Sequence, residues 1–295
     1  MRSRRPHLID APATIVHGEA LDVLGALPSG CAGLVYVDPP FNTGRRRTGL
    51  RLSTARDENG TRRGFAGRRY RVAQREGESF EDSFDDSYTD WLKPRLVETR
   101  RILAEHGSLY FHIDPRESHY CKVLLDTIFG RRCFLNEIVW AYDFGGRAQH
   151  RWAAKHDVLL VYVRDPRAYH FDPSGVDRIA YMAPGLQTEE RAARGKLPTD
   201  VWWQTIVPTT SRERTGYPTQ KPLAVLRRVI TASSRPGDLI VDWCGGSGTA
   251  AVAAAELGRR FLVADTSADA VAVMRTRLAS VPGLRVLSLA QLLSL

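Results

Sequence analysis

The sequence has few cysteines and no long apolar run. No stretch approaches the roughly 20 apolar residues that a membrane-spanning helix needs, so no membrane partner is expected. The basic first residues are not followed by an apolar segment, so no secretory signal is expected. The cysteines show neither CxxC pairing nor metal-ligand spacing, which predicts no metal site and a reducing, cytoplasmic setting. They are Cys31, Cys121, Cys133 and Cys244.

Acidic residues are also in short supply. The chain has 33 aspartates and glutamates against 42 lysines and arginines, and this net charge of +9 suggests a polyanionic partner. Nearly all of the excess lies in residues 45–76, which hold eleven arginines and three acidic residues. This segment is rich in Gly, Ser and Thr without clear periodicity, which predicts a long, mobile basic loop. Nucleic-acid contact is its favoured role, and a solvated insertion is the alternative.

Hydrophobic periodicity alternates between strand and helix over most of the chain. Strands are predicted at 14–16, 34–37, 108–113, 137–142, 158–163, 239–241 and 261–264. Helices are predicted at 88–105, 116–129, 222–234, 249–257 and 268–279. This alternation predicts an α/β fold with a doubly wound, seven-stranded, mostly parallel sheet and helices on both faces. Between residues 166 and 216 the pattern breaks down, which indicates an inserted module rather than a continuation of the sheet.

A glycine-rich loop follows the apolar run 239–241. Gly246 and Gly248 lead into an alanine-rich helix, whose N-terminus suits a carboxylate or phosphate. Asp265 ends the next predicted strand, where an acidic side chain commonly binds ribose hydroxyls. Because Gly246, Gly248 and Ala251 also fit the dinucleotide fingerprint, this loop alone leaves three interpretations open. They are a nicotinamide site, an S-adenosylmethionine site and a tight turn without a ligand.

The segment Asp38-Pro39-Pro40-Phe41 follows the apolar run 34–37 and favours S-adenosylmethionine. The two prolines fix the backbone and remove two N–H donors, so that a carboxylate and backbone carbonyls remain as acceptors. Asp38 and the Pro39 carbonyl can accept the hydrogens of an exocyclic NH₂ group while Phe41 stacks on its ring. A strand followed by a rigid turn is the alternative for this segment taken alone.

A third segment, 217–222, leads through a predicted helix to the strand before the glycine loop. Thr219, Gln220 and Lys221 supply hydroxyl, amide and ammonium groups that suit the carboxylate of an amino acid. A loop that merely initiates a helix is the alternative for each of them.

In this order the segments resemble the permuted, β-class DNA amino-methyltransferases of restriction–modification systems. The matching segments are 17–21, 37–44, 107–114, 136–140, 155–157, 217–222 and 242–249. They span nearly the whole chain except the basic loop and residues 166–210. The resemblance implies a circularly permuted, Rossmann-like methyltransferase fold, with S-adenosylmethionine as cofactor and a flipped base of double-stranded DNA as acceptor.

The candidate residues fall into three roles. The catalytic set is Asp38, Pro39, Pro40 and Phe41. The cofactor-binding set is Thr219, Gln220, Lys221, Asp242, Cys244, Gly246, Ser247, Gly248, Thr249 and Asp265. The basic residues expected to contact DNA are Arg45, Arg46, Arg47, Arg147, Lys155, Arg212 and Arg214. The chain departs from the family pattern at Glu19, where the family has Asp, and at Trp243 in the glycine loop; Phe41 replaces the more frequent Tyr.

The expected function is methyl transfer to the exocyclic amino group of a base, with adenine N6 favoured and cytosine N4 as the alternative. A nicotinamide-dependent oxidoreductase, a non-catalytic DNA-binding module and an RNA methyltransferase are less favoured alternatives. Residues 1–165 are expected to form the catalytic half, 166–216 a target-recognition-like insertion, and 217–295 the cofactor-binding half. A cognate restriction endonuclease and a homodimer are further candidate partners, and DNA binding implies association with the nucleoid.

Overall fold

The computed structural model describes residues 11–44, 47–57, 59, 62–63, 69–80, 82–84, 87–143, 148–208 and 210–295. The elements of the first half are β1 (Ala13–His17), α1 (Ala20–Ala26), β2 (Ala32–Val37), β3 (Arg47–Arg56), β4 (Arg62–Arg63), β5 (Arg69–Phe80), α2 (Tyr88–Ile102), β6 (Leu103–Ile113) and α3 (Ser118–Phe129). Those of the second half are β7 (Phe134–Ala141), β8 (His156–Val163), α4 (Glu189–Arg194), β9 (Val201–Trp203), α5 (Leu223–Ser233), β10 (Leu239–Asp242), α6 (Thr249–Glu256), β11 (Arg260–Asp265), α7 (Ala268–Arg277), β12 (Leu284–Ser288) and α8 (Leu289–Ser294).

One mixed sheet organises the fold, in the order β12-β1-β11-β10-β2-β6-β8-β7-β9. All neighbouring strands are parallel except at β8, which is antiparallel to both β6 and β7. The predicted α/β class is confirmed, but the expected seven strands are nine. The additional strands, β9 and β12, lie at the two edges of the sheet, where partly exposed residues weaken the apolar signal of a buried strand. Val201–Trp203 thus continues the sheet from within the segment expected to be an insertion.

Both faces of the sheet are buried. In β2, Val35 and Val37 face a core that includes residues of α1, α2 and α3, whereas Leu34 and Tyr36 face a core that includes residues of α5, α6 and α7. This arrangement confirms the predicted helices on both faces. A strand covered on both sides has no solvent-facing positions, and the continuous apolar run of β2 matches this requirement. No helix among the described residues is long and apolar enough to cross a membrane.

The helix predicted at 88–105 is shorter than expected. It ends at Ile102, and the chain turns directly into β6, whose Leu103 pairs with Ala32 of β2. Gly107, two residues beyond the predicted end of the helix, lies inside β6. A Cβ atom at this position would come within 2.8 Å of the carbonyl oxygen of Ala32, so close strand packing accounts for the glycine.

The basic segment 45–76 is expected to be a mobile loop, but its described residues lie mostly in a β-ribbon. Strands β3 and β5 pair antiparallel from Arg47↔Phe80 to Arg56↔Tyr70, and β4 pairs with β5 on its other side. In β3, Leu50, Leu52 and Thr54 alternate with other residues at the period of a strand. The density of arginine had obscured this alternation.

Replacing Gly107 with Ala is expected to lower the free energy of unfolding by about 1–3 kcal/mol, because the new methyl group must displace backbone. Gly25→Ala is the matched control. Gly25 lies in α1. A Cβ atom added there would have no atom within 4 Å apart from its chain neighbours and the adjacent backbone of its own helix. This change should therefore raise stability by about 0.5–1 kcal/mol. Urea unfolding of the two variants measures both effects, and a neutral Gly107→Ala variant would contradict the packing argument.

Candidate active site

The two segments singled out in the sequence meet at one edge of the sheet. Strands β2 and β10 are parallel neighbours, with Leu34 paired to Ile240 and Val35 paired to Val241. The residues that follow them therefore emerge side by side at the carboxyl edge of the sheet. Between them lies a cavity of about 450 Å³, within the range of about 300–1,000 Å³ typical of small-molecule sites.

Most of the predicted site residues line this cavity. Those that do are Asp38, Pro39, Pro40, Phe41, Thr219, Lys221, Asp242, Cys244, Gly246, Ser247, Thr249 and Asp265. Gln220 and Gly248 are not among the lining residues. The Gln220 amide instead fixes its own loop, because Oε1 accepts from the backbone N–H of Thr215 and Nε2 donates to the carbonyl of Glu213. Gly248 has φ 77° and would bring a Cβ within 2.8 Å of Met274, so the turn itself requires glycine.

The Asp38 carboxylate is largely buried and asymmetrically paired. Its Oδ2 lies 2.6 Å from Nζ of Lys221, and both side chains are less than one-fifth exposed. Its Oδ1 is buried and has no hydrogen-bond partner among the described residues. Because an unpaired buried carboxylate oxygen is costly, this atom is the natural acceptor for an incoming N–H group.

The backbone around Asp38 is held rigidly. Two prolines follow it, and the hydroxyl of Tyr88 donates to the carbonyl of Pro40 at 2.5 Å. The Phe41 ring packs 5.7 Å from the ring of His112, and the Lys221 ammonium lies 5.0 Å from the Phe41 ring centre. A carboxylate, an aromatic face and an ammonium therefore converge on one small volume.

Asp265 organises the glycine loop. Its Oδ2 accepts from the backbone N–H of Gly246 at 2.8 Å, and its Oδ1 accepts from the N–H of Ser267 at 2.9 Å. Gly246 adopts φ 50°, a conformation that favours glycine. Burial raises the pKa of Asp265, although these backbone hydrogen bonds partly oppose the shift. The carboxyl group thus joins the end of β11 to the loop after β10.

Burial also shifts the pKa of two other titratable groups of the loop. Asp242 is buried at the end of β10, and its Oδ1 accepts from the N–H of Cys244 at 3.0 Å. Burial raises the pKa of Asp242 well above its usual range, with Asp38 and Asp265 adding to the effect. Burial likewise raises the pKa of the Cys244 thiol, which keeps it protonated and unsuited to act as a nucleophile.

The cavity continues into an aromatic and charged region that the sequence analysis did not assign. Trp91 and Trp243 line it, with ring centres 6.3 Å apart. The Arg95 guanidinium pairs with Glu19 at 2.5 Å and stacks over Trp91 at 4.1 Å. Glu19 also accepts from the N–H of Leu21 at the start of α1. The departure from the family's Asp at Glu19 is therefore accompanied by a buried arginine partner.

The structure also reveals a buried polar network behind Asp38 that the sequence analysis missed. His112 of β6 contacts Tyr36 of β2 at 2.8 Å and Asp157 of β8 at 3.1 Å. Tyr142 donates to the other oxygen of Asp157 at 3.1 Å. The sequence does contain a signal for this network. His112 and Asp157 lie in otherwise apolar strands, and buried polar side chains need hydrogen-bond partners.

The residues expected to contact DNA are only partly placed. Arg45, Arg46 and Arg147 lie outside the described residues, and Arg47 begins β3. Lys155 is partly buried, and its carbonyl accepts from the N–H of Tyr142. Arg212 and Arg214 are exposed on the segment that leads to Lys221.

Comparison with known proteins decides the family. Residues 32–275 match the N6/N4 DNA methylase family. The chain belongs to this family. It is therefore a DNA amino-methyltransferase, an enzyme of the class that modifies adenine N6 or cytosine N4 with S-adenosylmethionine as its cofactor.

Individual relatives are distant but extend over most of the chain. The DNA adenine methyltransferase YhdJ of Escherichia coli (strain K12) is 26% identical over 273 residues, which cover 90% of this chain and 82% of the relative. The type II methyltransferase M.HpaI of Haemophilus parainfluenzae is 26% identical over 267 residues, covering 90% of this chain and 74% of the relative.

Solved structures share the fold. A putative DNA modification methylase of Thermus thermophilus, complexed with S-adenosyl-L-methionine, aligns with a TM-score of 0.57 and 19% identity. That alignment covers 94% of this chain and 98% of the other. The cytosine-N4-specific PvuII DNA methyltransferase aligns with a TM-score of 0.62 and 13% identity, over 95% of this chain and 98% of the other.

The cavity of this N6/N4 methylase fits its cofactor chemically. The glycine loop gives close access to backbone, and the rings of Trp91 and Trp243 offer apolar surface for a nucleoside. Nε of Arg95 is buried without a hydrogen-bond partner in the described part of the chain, and Lys221 supplies a second cation. A ligand with a carboxylate, a ribose and an aromatic base matches this set of groups.

Asp242→Asn is expected to remove part of the pH dependence of stability. Because burial raises the pKa of Asp242 in the folded state, its contribution to stability is lost as pH rises from the ordinary value of 3.8 through the raised one. The Asn variant keeps an oxygen for the Cys244 N–H without the ionisation. Its free energy of unfolding should therefore exceed that of the wild type increasingly between about pH 5 and pH 8.

Urea unfolding across this pH range measures the difference. Asp22→Asn, at an exposed position of α1, is the control for the removal of a carboxylate outside the site. Parallel curves for the Asp242→Asn variant and the wild type would show that Asp242 ionises as easily in the folded protein as in the unfolded chain.

Proposed function

We propose that this methylase transfers the methyl group of S-adenosylmethionine to N6 of an adenine flipped out of duplex DNA. The observation that carries the proposal is the buried, unpaired Oδ1 of Asp38 beside the Phe41 ring. This pairing suits a planar base that carries an amino group. Cytosine N4 is the alternative acceptor within the same family.

The role of Asp38 follows from the chemistry of an aryl amine. Such a nitrogen is a weak nucleophile because its lone pair is delocalised into the ring. Hydrogen bonds from the amino group to Asp38 and to the Pro39 carbonyl would concentrate the lone pair on nitrogen and direct it towards the methyl donor. Stacking on Phe41, worth about 1–3 kcal/mol, would offset part of the cost of extruding the base.

The glycine-loop side of the cavity is proposed to hold the cofactor, which supplies an electrophilic methyl group when bound. Lys221 and Thr219 would face the carboxylate of the cofactor. Asp265 would lie near its ribose and would also hold the glycine loop in place through the hydrogen bond to Gly246. Gln220 and Gly248 would act indirectly, because the first fixes the 213–220 loop and the second permits the turn into α6.

Two observations support adenine as the target. The first residue of the acceptor motif is Asp38. In the family that the sequence resembles, an aspartate at this position favours adenine as the target base. The relative YhdJ, which covers nearly the same span, is named a DNA adenine methyltransferase.

The order of the motifs supports assignment to the permuted β-class. The acceptor segment at Asp38 precedes the glycine loop at Gly246, yet both lie on neighbouring strands of one sheet. N-terminal β1 pairs with β11 and β12 of the C-terminal part, as expected when a circular permutation moves the chain ends within one domain. Residues 1–165 and 217–295 would then be two halves of that domain, with 166–216 as the target-recognition segment.

DNA contact is proposed for the basic ribbon β3–β5 and for Arg47, Arg212 and Arg214. Arg45, Arg46, Arg147 and Lys155 stay predictions from sequence, as do the restriction endonuclease, the homodimer and the nucleoid association. The ribbon begins six residues after Phe41, so it leaves the same sheet edge as the acceptor segment.

Asp38→Ala is expected to slow methyl transfer by about two orders of magnitude or more while sparing DNA binding, because it removes the acceptor oxygen without touching basic residues. Mass spectrometry of nucleosides from DNA treated with the wild-type protein identifies the product. N6-methyladenine is expected. N4-methylcytosine would reassign the target base, and the absence of both products would contradict the proposal. Retained turnover in the variant would rule out the role of Asp38.

Replacing the basic segment 45–76, which includes most of the ribbon, with a short Gly-Ser linker should weaken DNA binding and flatten its salt dependence, because fewer counterions are released. Binding isotherms at several salt concentrations measure the slope. Charge reversal at the exposed Arg235, on the turn before β10, is the control for a general loss of positive charge. An unchanged slope in the linker variant would favour a solvated ribbon without a DNA role.

A further inference from the structure

A buried histidine lies directly behind the proposed acceptor carboxylate. His112, near the end of β6, is fully buried, and its Nδ1 lies 3.7 Å from Oδ1 of Asp38. On the other side of the ring, Nε2 lies 3.1 Å from Oδ2 of Asp157. The imidazole is thus held between two carboxylates, one of which faces the cavity.

The hydrogen-bond partners define the resting state of this ring. A carboxylate only accepts, so Nε2 carries the hydrogen that faces Asp157. Nδ1 then accepts from the hydroxyl of Tyr36 at 2.8 Å. Burial raises the pKa of Tyr36 well above its usual range, which keeps this hydroxyl a donor. Oδ1 of Asp38 needs a shift of only about 0.5 Å to come within hydrogen-bond distance of Nδ1.

The groups around His112 carry one uncompensated negative charge. Asp38 and Asp157 each contribute a carboxylate, and Lys221 contributes one ammonium. Burial alone would raise the pKa of Asp157, but its contacts with His112, Lys221 and Tyr142 hold it below the usual range. The rings of Phe41 and Trp140, which also pack against His112, are uncharged. In these buried surroundings, one proton on His112 would balance the charge.

We propose that His112 takes up the proton that the amino nitrogen loses during methyl transfer, with Asp38 as the carrier. When the nitrogen lone pair forms the N–CH₃ bond, the C–S bond breaks, its electron pair stays on sulfur, and the nitrogen becomes positively charged. An N–H bond then breaks and its electron pair returns to nitrogen. The proton passes to Oδ1 of Asp38. The Tyr36 hydroxyl then turns its hydrogen away from Nδ1 of His112, whose freed lone pair takes up the proton. The proton leaves to solvent when the product departs.

His112 acts through Asp38 and is therefore a positioning residue, and the inference rests on the role proposed for Asp38. The negative charge of the array also favours the positive charge that develops on nitrogen during transfer. Asp157 has the corresponding task of keeping the ring oriented and of stabilising its protonated form, as a carboxylate does for a general-base histidine.

The test is His112→Gln, which retains an amide donor towards Asp157 but cannot take up a proton. Single-turnover methylation should be slowed about 100-fold, and the fall in wild-type rate towards acid pH should disappear over about pH 5.5–9. Affinities for DNA and for S-adenosylhomocysteine should stay within about two-fold of the wild type, because neither binding event uses the proton. If His112 had only a structural role, the variant would instead change stability and ligand affinity and would keep the shape of the wild-type pH profile.

His106→Gln is the matched control. His106 also lies on β6 and also contacts an aspartate, with Nε2 3.3 Å from Oδ2 of Asp238, but it is far along the strand from the cavity edge. Its variant should methylate at the wild-type rate with the wild-type pH profile.

Asp157→Asn keeps the inference testable if the His112→Gln variant does not fold. Removing this carboxylate lowers the proton affinity of the ring, so the midpoint of the wild-type pH profile should move to lower pH. The ¹⁵N chemical shifts of His112 in the protein without cofactor should move in the same sense, which gives a readout independent of turnover. Unshifted midpoints, or a His112→Gln variant with the wild-type rate and profile, would overturn the relay. The role of Asp38 would then still be judged separately by Asp38→Ala.

Discussion

The parallel pairing of β2 with β10 is the constraint on which the site depends. It joins two stretches of chain that lie about two hundred residues apart, and both strands are buried on each face. Asp38 and Asp242 consequently end adjacent strands at the carboxyl edge, where α/β sheets bind ligands. A slip of two residues in this register would separate the acceptor oxygen from the glycine loop, although each loop would keep its own conformation.

Burial then determines which groups of the site carry charge. Burial raises the pKa of Asp242 and of Cys244, which favours their protonated forms, whereas Asp38 has a charged partner in Lys221. Two neighbouring carboxyl groups therefore have different tasks. The first ties the loop after β10 to its strand, and the second presents an oxygen to the cavity. This division follows from the positions of the cations, because an isolated buried carboxylate would simply protonate.

Sequence alone predicts the parts of this structure that depend on local pattern. The apolar runs around Leu34 and Ile240 identify buried strands, and the motifs that follow them identify the cavity. The network around His112 depends on pairing between β2, β6 and β8, and no spacing along the chain encodes those neighbours. Gln220 has the right chemistry for a ligand, but its amide meets Thr215 and Glu213, which only the folded loop brings within reach. Arginine-rich composition similarly hid the strand alternation of the ribbon.

The base of that ribbon is tied to the acceptor segment by hydrogen bonds on both sides. Asn42 donates to Glu117 at 2.9 Å and accepts from the N–H of Phe84 at 2.8 Å. Thr43 donates to the Asp82 carboxylate, and the N–H of Gly44 donates to the Asp82 carbonyl at 2.9 Å. These bonds join residues 42–44, which lead from the acceptor segment towards the ribbon, to residues 82–84, which follow it. DNA contacts that displaced residues 42–44 would therefore also displace the segment that begins at Asp38.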